Sequence, residues 1–475
     1  MTVTNASVSA GYGASSSPPS NSTTISDSNS NTSSDFRPSV LLLAGGALST
    51  VDNSPTFGNG TGSINISTSS VSASGDMALL AKTGITLNGS ALSSSPVYGV
   101  SEGSASIGML TNTGNIRLTD SSVWSGGSNK STGSTREDDF PAVFMMAGGD
   151  LSSSTGNPTL NSSASASISI QGAYQGIDSH PTPAVSSNGD VVALAKGDIA
   201  IGVSASDSST NISAAGRIAL ASEGGDVTVT NAAISSGYGL SSSSISSTNS
   251  DSRPSLLLLA GGTLLPSSTG SNTPFFGWSS SVAAEKGSIT ISGNSFVEVK
   301  GNAALVAKTG ITLNGSALSS SPVYGVSEGS ASIGMLTNTG NIRLTDSSVW
   351  SGGSNKSTGS TREDDFPAVF MMAGGDLSSS TGNPTLNSSA SASISIQGAY
   401  QGFNSYLSTG GNSISAGVTS VDSQTSGNTT PAVSSNGDVV ALARGDIAIG
   451  GVASSGATTA PATGISAAGR IAVAS

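Results

Sequence analysis

The sequence predicts an all-β fold, a parallel β-helix (β-solenoid) with long Ser/Gly/Asn-rich loops and no helical domain, and three observations predict it. One pattern, an apolar run followed by a small residue, a glycine turn and a second apolar alternation, returns about a dozen times along the chain. FMMAGGDL stands at Phe144–Leu151 and again at Phe370–Leu377, with SLLLLAGGTL from Ser255, VVALAKGDIAI from Val191 and RIALASEGGDVTV from Arg217 as looser versions. The triplets after each turn, such as Ile85-Thr86-Leu87 and Ile116-Arg117-Leu118, alternate with the period of a strand, and no capped helical spacing occurs. The runs before each turn, such as Leu256–Leu259, are apolar without interruption, the pattern of a strand covered on both faces. A strand, turn and strand unit of this length cannot bury its apolar side alone, so neighbouring units must stack about 4.8 Å apart.

Taken in order, the small residue that closes each run is Ala44, Ala81, Thr111, Ala147, Ala195 and Ala221, then Ala260, Ala307, Thr337, Ala373, Ala443 and Ala474. These twelve markers predict twelve coils, six in each half of the chain. The turns after them, such as Gly114-Asn115 and Gly148-Gly149-Asp150, are expected to use residues that tolerate positive φ. Ser-rich excursions such as Gly13–Asp35 and Gly126–Thr135 are expected to be surface loops on one side, lying over the outer face of the continuous apolar strands.

The halves are copies. Residues Ala81–Gly176 recur without change as Ala307–Gly402, and TVTNASVSAGYG from Thr2 answers TVTNAAISSGYG from Thr228. The chain therefore divides into two continuous long repeats, 1–226 and 227–475, the second longer through a Ser/Gly/Asn-rich insertion around Tyr406–Thr430.

Composition narrows the function. Charged residues make up 9% and aromatics 4%, which argues against an ordinary enzyme core, whereas 35% hydrophobic residues in clusters argue against disorder. The net charge of -12 without a basic stripe excludes nucleic acid as a partner class, and no apolar run is long enough to span a bilayer as a helix. The absence of Cys removes disulfides and thiolate metal sites. Met1-Thr2-Val3-Thr4-Asn5 lacks the basic start and apolar stretch of a signal peptide, so an exported protein would carry its targeting segment elsewhere.

The phrases GNIRL, GGDVTV, GDIAI and AGGDL resemble the degenerate repeats of the filamentous haemagglutinin family, the large exoproteins of two-partner secretion in Gram-negative bacteria, and the resemblance runs along nearly all the chain. It implies a right-handed β-helical fibre, exported across the outer membrane and used in adhesion, aggregation or biofilm formation. The Asn-Pro-Asn motifs of that family's amino-terminal secretion domain do not occur here.

Few residues suggest chemistry. His180, in Asp178-Ser179-His180-Pro181, has no counterpart in the second copy and reads as a surface loop residue more readily than as part of a Ser-His-Asp site. The cluster Arg136-Glu137-Asp138-Asp139, repeated at Arg362–Asp365, offers paired carboxylates for Ca²⁺ or acid–base work, or simply a solvated loop. No calcium-binding nonapeptide, P-loop or dinucleotide fingerprint occurs. No catalytic, metal or cofactor residue is therefore assigned. Trp124 and Trp350, each in SSVWSGGSNK, and Trp278 in FFGW are the candidate ligand or glycan contacts; the competing reading has them capping the core beneath loops. Sequons such as Asn5-Ala6-Ser7, Asn65-Ile66-Ser67 and Asn88-Gly89-Ser90 are frequent, as any Ser/Asn/Thr-rich chain would make them.

The expected protein is a non-enzymatic, extracellular or cell-surface structural and adhesive stalk. Its expected partners are other copies of itself and host or cell-surface glycans or proteins, without nucleic acid and without membrane insertion. The rival is a carbohydrate-active β-helix lyase or hydrolase, and an ice-binding sheet is a third option. Twelve coils predict a rod roughly 55 to 60 Å long. The strand-like TVT start and the IAVAS end predict head-to-tail association into filaments.

Overall fold

In the computed structural model, residues 1–10, 38–48, 55–96, 105–127, 141–150, 159–160, 165–173, 183–202, 210–237, 254–265, 279–281, 285–322, 330–354, 367–376, 385–386, 391–398, 431–450 and 463–475 are described. They form three parallel sheets of twelve strands each. Each coil contributes one strand to each sheet in the same order, as in Gly84–Asn88, Ala91–Ser95 and Ile107–Thr111 of coil 3, before the chain steps to the next coil. The result is a right-handed parallel β-helix, the hand that twisted parallel strands favour in their crossovers.

Alternation decides which side chains face inward. Ile85 and Leu87 stack on Ile116 and Leu118, which stack on Ile168 and Ile170, and all six are fully or almost fully buried. This stacking joins Val3 to Ala443 in one contiguous apolar core. No coil could bury these residues without its neighbours, which is why a pattern weak in any one coil gives a stable fold when repeated.

The corner between the first and second sheets is built in one way throughout. In all twelve coils a residue with positive φ ends or directly follows the first-sheet strand, from Asn5 and Thr68 through Gly89, Asp120, Gly172 and Gly202 to Gly398 and Gly450. Just inside this corner lie buried serines whose hydroxyls bridge coils. The amides of Ala6, Ser69 and Ser90 donate to the Oγ atoms of Ser69, Ser90 and Ser121 at 3.1, 3.2 and 3.2 Å. Ser90 Oγ in turn donates to the Asn88 carbonyl at 2.9 Å, and Ser121 Oγ to the Thr119 carbonyl at 2.8 Å. The second copy repeats the device, with the Ser316 amide donating to Ser347 Oγ at 3.2 Å. The corner between the second and third sheets also has inward serines, among them Ser94 and Ser320, each donating to the carbonyl of a glycine (Gly75 and Gly301) at 2.5 Å. Serine is thus a core residue here as well as a loop residue, small enough for a tight corner and able to satisfy backbone groups that the turn leaves unpaired.

The Gly-Asn and Gly-Asp turns differ from expectation. Gly114 and Asn115 do not have positive φ; Gly114 is required because a Cβ there would lie 1.3 Å from the Thr83 carbonyl oxygen of the preceding coil. Asn115 Oδ1 accepts the Ser167 amide of the next coil at 2.9 Å, and Asp198 and Asp226 accept the amides of Asp226 and Ser288 in the same way. These side chains connect successive coils. The Gly-Gly turns do use positive φ, at 86° for Gly148 and 82° for Gly374.

Two phase markers also move by one residue. Ala195 pairs with Ser222 instead of Ala221, and Leu442 with Ala474, which sets the last closing position at Ser475. In IALAS both alanines lie on the outer side of a strand buried on both faces, and Ser222 is the small residue on the inward side with Ile218 and Leu220; with every residue buried, composition alone could not choose between Ala221 and Ser222.

The third sheet is that two-sided sheet. Its outer face carries Leu80, Leu110, Met146, Leu257, Leu259, Leu336, Phe370 and Met372, all buried. Antiparallel hairpins leave directly after the third-sheet strands of coils 1, 4, 7 and 10: Gly46–Leu48 with Pro55–Phe57, Gly149–Asp150 with Thr159–Leu160, Thr263–Leu265 with Ser279–Ser281, and Gly375–Asp376 with Thr385–Leu386. Phe57 and Leu160 from the first two pack on Leu80, Leu110 and Met146. The close seat is visible at Gly149, where a Cβ would come within 2.5 Å of Met146 Sδ. The hairpins of coils 1 and 4 thus fold back over the apolar outer face, whereas Leu386 of the coil-10 hairpin is 38% exposed.

Candidate functional site: the outer face of the second sheet

The second sheet has the opposite outer face. Its central outward column can be followed through every coil: Ser9, Ser72, Ser93, Trp124, Ser186, Ser213, Ser235, Glu298, Ser319, Trp350, Ser434 and Ser466 stand in register. Nine of the twelve are serine. Alternation makes the face polar, and parallel register makes it a line.

Two tryptophans interrupt the serines, one in each copy. Trp124 lies between Ser93 and Ser186 and is 38% exposed; Trp350 lies between Ser319 and Ser434 and is half-buried. Both stand on the outer face and belong to no core cluster, so neither caps the core. Six coil steps separate them, a distance of roughly 29 Å along the column.

The tryptophan is followed by Ser and then Gly in both copies, and the glycine has a physical cause. A Cβ on Gly126 would stand 2.6 Å from Pro96 Cδ and 3.4 Å from Trp124 Cη2; on Gly352 the corresponding distances are 2.7 Å to Pro322 Cδ and 3.3 Å to Trp350 Cη2. The far edge of each indole thus reaches along its strand to the glycine, and the proline of the neighbouring coil stands close to the same glycine. The outer edge of the ring lies beside the glycine, and a serine stands in register with the tryptophan on either side. Between Ser122 and Ser125, Val123 points inward and is fully buried, which anchors the strand that presents the ring.

The face is electrically quiet. Among the described second-sheet strands the only charged residues are Glu298 and Lys300, 3.6 Å apart, and Lys300 Nζ also donates to Ser321 Oγ at 2.8 Å. The first sheet has a polar outer face too, with Thr86, Arg117, Ser169, Ala200 and Thr228 in one register column, but it presents no aromatic ring and its column breaks at Arg117 and Arg343.

Several residues singled out from the sequence lie outside the described residues: Trp278, His180, and the Arg136–Asp139 and Arg362–Asp365 clusters. Among the described residues no group of three or more His, Cys, Asp or Glu side chains is placed to hold a metal ion. Asp438 has its carboxyl held below the usual carboxylate range, first by the Arg470 amide, which donates to it at 2.7 Å, then by the Arg470 guanidinium. That is an inter-coil turn contact of the kind made by Asp190 with the Arg217 amide at 2.7 Å. The serine column and the register of the two tryptophans were not drawn from the sequence; the SVSAS, ALSSS and SVWS triads, aligned on their inward Val71, Leu92 and Val123, carry the signal.

Comparison with protein-family models, with curated proteins and with solved structures finds no match to this chain.

Proposed function

We propose that this chain is a non-enzymatic structural and adhesive segment, a β-solenoid stalk that acts outside the cell or on its surface by multivalent contact. The observation that carries the reading is the doubling of an outward aromatic group on a continuous scaffold. Trp124 and Trp350 occupy the same register column of one unbroken sheet, in segments of identical sequence. An enzyme needs one place where charged groups converge, whereas two equivalent outward sites on a stiff support suit repeated weak contacts summed by avidity. Partners on this reading are cell-surface glycans or proteins and other copies of the chain, side by side or head to tail. The likeness of its repeats to filamentous haemagglutinin exoproteins supports the same reading and the same bacterial-surface setting.

The test is a paired assay. Beads coated with the purified chain should adhere to cells or to immobilised glycans, while neutral and acidic polysaccharides incubated with the chain should remain uncleaved. Turnover of an acidic polysaccharide that disappears on combining Asp138→Ala with Asp364→Ala would establish the lyase or hydrolase alternative in its place.

A further inference from the structure

We infer that the Trp124 and Trp350 platforms are two equivalent carbohydrate subsites that bind one long, uncharged polysaccharide simultaneously. The inference rests on the adhesive reading and narrows it to a ligand class, a pair of sites and a spacing. The first argument is shape. An indole on the outer face of a sheet presents a flat apolar surface, and each ring extends along its strand so that its Cη2 edge lies beside Gly126 or Gly352. A pyranose ring has one face of C–H groups that packs on such a surface, with its hydroxyls projecting at the rim. Serines of the neighbouring coils, Ser93 and Ser186 at one site and Ser434 at the other, line that rim with groups that both donate and accept, while Ser319 on the far side of Trp350 is buried beside Glu298.

The second argument is charge. The face has no unbalanced charge among the described second-sheet residues, its one acid and one base being paired, and the whole chain carries -12. Among the described second-sheet residues an anionic glycan or nucleic acid would find no cation other than the paired Lys300, whereas a neutral polymer loses nothing by approaching. The third argument is geometry: two platforms of the same local sequence in one register column of one continuous sheet, roughly 29 Å apart, can both be met by an extended chain. The second engagement is then intramolecular.

The experiment is affinity electrophoresis and titration with neutral soluble polymers (a β-glucan, a xylan and a mannan), their short oligosaccharides, and heparin as the anionic control. At least one neutral polymer should bind, and Trp124→Ala or Trp350→Ala alone should weaken that binding by on the order of 10²-fold through loss of the second contact. The same single substitutions should leave the per-site affinity for a short oligosaccharide nearly unchanged, and the double substitution should abolish both. Trp124→Phe combined with Trp350→Phe should keep part of the binding, and an unchanged far-ultraviolet spectrum will certify the fold of each variant. Neutral-polymer binding untouched by the double substitution, binding of heparin alone, or a Trp-dependent self-association without glycan binding would each overturn the inference. If beads carrying the double variant still adhere to cells, the subsites fail and the adhesive function stands; if Trp-dependent glycan binding holds but no bead adheres, the adhesive function fails instead.

Discussion

The segments 81–176 and 307–402 have the same sequence, and comparing them separates what a coil decides for itself from what its neighbour decides. Inward-facing positions are indifferent to context: Ile85 and Ile311, Leu87 and Leu313, Met109 and Met335 are all fully buried. Outward positions are not. Ala91 is half-buried beside Ser70 of the preceding coil, whereas Ala317 is fully buried beside Phe296. Ser93 is half-buried beside Ser72, whereas Ser319, beside Glu298, is buried. The coil below these segments reads SVSAS in the first copy and FVEVK in the second, and that substitution alone repaints the adjoining outer strip. In a solenoid the core is read from a coil's own alternation and the surface from pairs of coils.

The largest effect expected tests the indifference of the interior. Leu87→Ala and Leu313→Ala should each cost about 2 to 5 kcal/mol, and by nearly equal amounts, since both remove a fully buried side chain. Urea denaturation of the two single variants measures this, and costs differing by more than about 1 kcal/mol would break the equivalence of the copies. Next in size are the corner hydroxyls. Ser90→Ala leaves the buried Ser69 amide without its 3.2 Å acceptor and should cost about 1 to 3 kcal/mol, and a protected Ser69 amide in hydrogen exchange should become labile.

A smaller and opposite effect is expected at Ser236. Its Oγ is buried without a partner, between Ala214 and Val299 in register, where the first copy has Ala10 at the matching place. Ser236→Ala should be neutral or stabilising by up to about 1 kcal/mol, while Ser320→Ala, which deletes the bond to Gly301, should destabilise by about the same or more. Thermal melts of the pair give the comparison its sharpest form, because the two substitutions are chemically identical and differ only in whether a carbonyl faces the hydroxyl. At Thr68, a β-branched residue at φ 46°, replacement by Gly, the residue that coil 3 uses at the same corner, should stabilise by about 0.5 to 1 kcal/mol. The smallest effect is at the Asp438–Arg470 contact. A depressed carboxylate pKa contributes stability that is present above the unfolded-state value and lost as pH falls through the folded-state value. Because Arg470 is 74% exposed and screened, the contribution should stay below about 0.5 kcal/mol, read as a slightly smaller acid sensitivity in Asp438→Asn.

The sequence by itself determined the repeat, the all-β class, the twelve coils, and the two-sided burial of the third sheet, since each follows from local periodicity: Ile85-Thr86-Leu87 can bury one side only, and Leu256–Leu259 must bury both. It left the role of small polar residues undecided, because a serine reads alike in a loop, in a corner and on a face. Only the tertiary structure separated Ser90, which is fully buried and bridges two coils, from Ser93, which stands on the outer face three residues later. Only the register between coils placed Ser222 in the position expected for Ala221, turned Asn115 from a turn former into a link to the next coil, and set Trp124 and Trp350 on one line. The physical reason is common to all of these: alternation is a property of one strand, whereas a ladder is a property of many strands, and its alignment is fixed by backbone hydrogen bonds between residues far apart in sequence.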